Sequence, residues 1–69
     1  MEFKTTSKGL PGGFFKDVEG NVIEKNFNPS PGKKFLLIKD IDLNGVKFKP
    51  GVTFKLVTKN ARGLIYAIS

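Results

Sequence analysis

The chain of 69 residues has no cysteine, no histidine and no tryptophan. Without cysteine, neither a disulfide nor a thiolate-bound metal staples the fold. Without histidine, the commonest general base and metal ligand are both missing. The first thirty residues hold no apolar stretch behind a basic start, as a signal peptide would, and no run approaches the length of a membrane span. The expectation is a soluble, cytoplasmic protein with no membrane partner, although the lack of cysteine fits any redox compartment. No window keeps a helical period free of glycine and proline, so no long helix is expected. A domain this small buries only about 60% of the surface exposed by its unfolded chain, which makes each of the seven phenylalanines count.

Turn chemistry is what the sequence has in quantity. Pro-Gly-x-x-Phe is written three times, at Pro11, Pro31 and Pro50, dividing the chain into residues 1–10 and three units of 20, 19 and 20 residues. Proline at the second and glycine at the third position of a turn is a type II signature, because proline presets φ and glycine tolerates the positive φ that follows. Each Pro-Gly should therefore feed a strand. A true duplication and ordinary β-protein turn chemistry account for the spacing equally well.

Each unit then offers a second turn. Asn44-Gly45 is the strongest two-residue hairpin signal, since a type I′ turn needs positive φ at both positions. It sets Leu43 against Val46, Asp42 against Lys47, Ile41 against Phe48 and Asp40 against Lys49, with one face apolar and the other carrying two opposite-charge pairs. KNARGL predicts a type I turn opened by Asn60, with Gly63 as the left-handed residue of a bulge. Thr58 would then oppose Tyr66 and Leu56 would oppose Ile68, with Phe54 on their face and Lys55, Val57 and Lys59 on the other. DVEGNVI marks a third hairpin with a loop of two or three residues. In FLLIKDIDL, strict alternation would bury Lys39 among Phe35, Leu37, Ile41 and Leu43, so a bend is expected near Lys39 and Asp40.

Residues 1–10 lack periodicity and read as a flexible tail, leaving 11–69 as one all-β domain of three consecutive hairpins. Short strands in so small a domain must protect their edges, which points to an SH3-like or OB-like barrel.

Six carboxylates, eleven lysines, one tyrosine and a few hydroxyls remain for chemistry. No nucleophile and base pair can be named among them, so no catalysis, cofactor or metal is expected. DIDLNG, from Asp40 to Gly45, resembles the first half of an EF-hand calcium loop, but its twelfth position is Gly51 instead of a bidentate Glu and no helices flank it. A charged strand entering an Asn-Gly turn explains the same letters. RGLIYAI, from Arg62 to Ile68, partly resembles the RNP1 motif of single-strand RNA-binding domains through Arg62, Gly63 and Tyr66. It departs from that motif at Leu64 and Ile65 and in lacking that fold's helices, and Tyr66 reads as a core residue whose hydroxyl reaches the rim.

Charge placement is the remaining clue. The net charge is +6, and from Leu43 onward Lys47, Lys49, Lys55, Lys59 and Arg62 meet no acid, so five of the six excess charges lie there. Lys47 and Lys49 face Asp42 and Asp40 in the hairpin register, which leaves Lys55, Lys59 and Arg62, flanked by Lys33 and Lys34, as a surface for a phosphate backbone. Stacking on bases would need one of the adjacent Phe14 and Phe15 to be exposed. The competing expectation is a protein-binding, self-associating or assembly module, a subunit of a larger complex or particle, that uses Phe15, Val57, Ile65 or an open sheet edge. A plain solvated lysine face is the third reading.

Overall fold

The structure is a computed structural model that describes residues 1–6 and 9–69. It is all-β, with strands β1 (Glu2–Thr5), β2 (Phe15–Lys16), β3 (Val22–Ile23), β4 (Lys34–Leu37), β5 (Ile41–Leu43), β6 (Val46–Phe48), β7 (Thr53–Asn60) and β8 (Gly63–Ile68). Six of them form one antiparallel sheet in the order β1-β8-β7-β4-β2-β3, and β5 pairs with β6 alone. Among the described residues there is no helix, so none is long and apolar enough to cross a membrane.

Local chemistry places the turns. Asn44 (φ 54°) and Gly45 (φ 82°) form the type I′ turn, and the pairs Ile41–Phe48, Asp42–Lys47 and Leu43–Val46 follow from it as the dipeptide predicts. Gly32 takes φ 87° after Pro31, and Lys33 N donates to Ser30 O at 3.1 Å, which closes the type II turn before β4. In the first unit the positive φ falls on Gly13, one residue later than Pro11-Gly12 predicts. The β2–β3 loop has three residues: Phe15 pairs with Ile23, Lys16 pairs with Val22, and Asp17 N donates to Asn21 O at 2.9 Å. Asp17 Oδ1 accepts from the amides of Glu19 and Asn21, which holds that loop.

The expected bend is present at Ile38–Asp40. It separates β4 from β5, sends them into different sheets and leaves Lys39 exposed, with its Nζ 6.0 Å from the centre of the Phe14 ring. The three hairpins are β2–β3, β5–β6 and β7–β8, but they are not simply consecutive, because β4 pairs with β2 and β7 instead.

Two further expectations are corrected. Residues 2–5, read as part of a tail, form β1 against β8, and Phe3 is only 7% exposed. Leu10, also in that segment, is buried and bridges Phe27. One strand of four residues carries too little periodicity to show in sequence, and its partner lies at the other end of the chain. The β7–β8 hairpin has a two-residue loop, with Asn60 opposite Gly63, and its bulge lies between Leu56 and Thr58 instead of at Gly63. Leu56 therefore opposes Tyr66 and Thr58 opposes Ile65, which shifts the expected register.

The core lies on one face of the six-stranded sheet. Phe3, Phe15, Phe35, Leu37, Phe54, Leu56, Leu64 and Tyr66 point inward, and Leu10 with Ile41, Leu43 and Phe48 of the β5–β6 hairpin complete the cluster. The rings meet edge to face, Phe15 against Phe35 (5.2 Å) and Phe54 (5.3 Å), Phe48 against Phe54 (5.1 Å) and Phe3 (5.0 Å). This geometry suits their quadrupoles and adds about 0.5–1.5 kcal/mol per pair beyond area burial.

Candidate interface on the outer face of the sheet

Strand pairing reveals what the opposite face carries. Because side chains alternate, residues paired across strands share a face. One outer row runs Glu2, Ala67, Lys55, Lys34 across β1, β8, β7 and β4. The next runs Thr53, Leu36, Lys16, Val22 across β7, β4, β2 and β3. A third contains Lys4, Ile65 and Thr58. Four lysines thus stand on one face with a single carboxylate, Glu2, in these rows.

Lys34 and Lys55 are direct cross-strand partners, and both are exposed. Opposed residues have Cβ atoms about 4.5–5.5 Å apart, and like charges at that spacing destabilise the sheet. Lys16, in the adjacent row, joins Lys34 in lining a depression of about 410 Å³ whose other walls include Val18, Leu36 and Thr53. Asp17 borders this depression, with its Oδ1 already engaged by the two loop amides. Aliphatic side chains share this face with the lysines: Val22 is 42% exposed, Leu36 38% and Val57 46%.

The five cations expected to form one surface divide into two groups. Lys34 and Lys55 meet, whereas Lys33, just before β4, lies across from the buried Leu56, whose amide donates to Lys33 O at 3.1 Å, and so falls on the other face. Lys59 pairs with Leu64, whose side chain is buried, so the bulge at Val57 puts Lys59 on the sheet face opposite Lys55. Arg62 sits in the β7–β8 turn, where its amide donates to Asn60 Oδ1 at 2.8 Å. Lys16 and Lys4 were not singled out by the sequence, because they lie in a stretch of zero net charge and only strand pairing brings them to this face.

Of the apolar contacts expected at a partner surface, Val57 is exposed and Ile65 half-buried, whereas Phe15 is 0% exposed at the centre of the ring cluster. Phe15 is thus withdrawn as a contact. Its neighbour Phe14 is partly buried and packs against the core. Tyr66, the aromatic of the RNP1-like stretch, is fully buried with its hydroxyl, which does not reach the rim. Every aromatic ring is buried or partly buried, so the outer face offers cations and aliphatic groups without a stacking platform.

No family model matches this sequence, and no similar chain was found among curated proteins or solved structures.

Proposed function

We propose that the protein is a non-enzymatic binding module, a small SH3-like or OB-like barrel, that takes the phosphate backbone of a nucleic acid on the outer face of its sheet. The observation that carries this reading is the direct opposition of Lys34 and Lys55, with Lys16 in the adjacent row. A like-charge pair across two strands costs stability in the free protein, and a phosphate bound between them offsets that repulsion. Lys4 extends the surface toward β1. Because the aromatic rings are turned inward, recognition runs through phosphates and not through stacked bases, so duplexes bind at least as well as single strands and without sequence preference. Support for the barrel comes from the β1 edge, which meets the β5–β6 hairpin through the Phe3–Phe48 ring contact and a 3.5 Å hydrogen bond from Thr6 Oγ1 to Asn44 Oδ1.

Fluorescence anisotropy with duplex and single-stranded oligonucleotides over a salt series tests the reading. With three or four phosphates neutralised, log affinity for duplex falls against log salt with a slope of about −2.7 to −3.6. The folded double variant Lys34→Gln, Lys55→Gln loses about 0.9 of that slope, for the one phosphate held between the pair. An unchanged slope in that variant refutes the assignment to this face.

The exposed aliphatic groups on this face favour a second reading, a docking surface for an acidic protein partner or a second copy of the chain. No oligonucleotide binding at low salt, together with concentration-dependent association on a sizing column, would put that reading first.

A further inference from the structure

A separate cleft lies at the end of the molecule, away from the Lys34–Lys55 pair. Its volume is about 400 Å³, and it is walled by the end of β1, the β5–β6 turn and the β7–β8 turn. Lys4 and Arg62 supply two positive charges, and no carboxylate lines it among the described residues. Thr6, Asn44 and Asn60 add a hydroxyl and two amides.

Several contacts hold these groups in place. The Arg62 amide is tied to Asn60 Oδ1 at 2.8 Å, which leaves the Asn60 amide nitrogen available as a donor. Thr6 Oγ1 reaches Asn44 Oδ1 at 3.5 Å, so the Asn44 oxygen is occupied while its amide nitrogen is available. Asp42, the acid on the neighbouring strand, has its Oδ1 engaged by Gly45 N at 3.1 Å. The β1 backbone is seated so closely on the β7–β8 turn that a Cβ at Gly63 would collide with the Thr5 carbonyl, which packs these two walls of the cleft together.

We infer that this cleft is a binding site for a phosphate monoester, either free or at the end of a nucleic-acid strand. Two cations match the charge of a phosphomonoester dianion, and the Arg62 guanidinium suits its oxygens bidentately. The two amide nitrogens are hydrogen-bond donors of the kind that complete such a shell. The inference shares Lys4 with the sheet-face surface but uses neither Lys34 nor Lys55, so it stands whether or not that pair holds a phosphate.

The test is an amide-shift titration of the full chain with inorganic phosphate, with chloride at matched ionic strength as the control. Saturable shifts confined to Thr5, Asn44 and Asn60–Leu64 are expected. Arg62→Gln and Lys4→Gln, each giving a native spectrum elsewhere, should weaken binding about tenfold, and Arg62→Lys should fall between wild type and Arg62→Gln. Lys34→Gln with Lys55→Gln should leave phosphate binding unchanged, which separates this site from the sheet face. Tighter binding of a 5′-phosphorylated than a 5′-hydroxyl oligonucleotide assigns the site to strand ends; equal affinity, with saturable binding of inorganic phosphate and a nucleoside 5′-monophosphate, assigns it to small free phosphates. Shifts reproduced by chloride, or wild-type affinity in a folded Arg62→Gln variant, overturn the inference.

Discussion

Tyr66 buries its hydroxyl beside Phe35 and Phe54 with no hydrogen-bond partner among the described residues. An unsatisfied buried polar group costs about 1–3 kcal/mol, so Tyr66→Phe should stabilise the protein by about 1 kcal/mol in urea unfolding. A loss of similar size would mean that the hydroxyl is satisfied in solution. Burial also pushes the Tyr66 phenol above the ordinary tyrosine range. The folded chain then holds this proton more tightly than the unfolded chain, so stability is full below about pH 10 and falls as pH rises beyond it. As the only tyrosine, Tyr66 reports its own ionisation by absorbance, and tyrosinate should appear only together with unfolding. Gly63 supplies the second test at this scale. Its φ is 138° and its Cβ position is filled by the Thr5 carbonyl, whereas Gly20, at φ 86°, has open space around it. Gly63→Ala should therefore cost more than about 2 kcal/mol and raise amide exchange across Glu2–Thr5, while Gly20→Ala costs only the left-handed strain of about 1 kcal/mol.

Among elements, β1 ties the sheet to its cover. Phe3 packs its ring on Phe48 and pairs with Tyr66, so β1 joins the covering hairpin to the sheet. Phe3→Ala should cost about 3 kcal/mol, a large share of the stability expected for so small a domain, measurable as a shift in urea midpoint. A change below 0.5 kcal/mol, the size common to surface substitutions, would contradict a core role for the ring. The same elements reveal what a sequence can disclose. The β5–β6 hairpin was legible to the residue pair, because Asn44-Gly45 determines its own register within a few residues. The bend at Lys39 was legible too, since a lysine among alternating apolar positions requires one. The bulge at Val57 was hidden, because a turn motif reports the loop and not where a long strand slips further on. β1 was hidden because its pairing partner among the described residues is β8, about sixty residues away.

At the scale of the whole molecule, the sequence disclosed that the basic charge was local, but not which lysines meet. Lys34 and Lys55 are neighbours only because β4 pairs with β7, a contact that no local motif encodes, and Lys16 arrives through the β2–β4 pairing. A shift of one residue within β7 likewise decides that Lys59 leaves the face of Lys55. This arrangement sets stability against binding in a way that separates a working surface from a merely solvated one. Lys55→Glu replaces a like-charge opposition by an opposite-charge pair with Lys34, so the free domain should gain a few tenths of a kcal/mol at low salt, and the gain should fade as salt screens it. In the same variant, affinity for duplex should fall and its salt slope should lose at least 0.9, because one phosphate contact is removed and a repulsive charge takes its place. Unfolding and anisotropy curves from one preparation check both. Higher stability with weaker binding supports the view that the lysine pair is retained for an anionic partner at a cost to the free fold. Higher stability with unchanged binding would show that the opposition of Lys34 and Lys55 takes no part in holding a phosphate, and would move the search to the aliphatic groups that share their face.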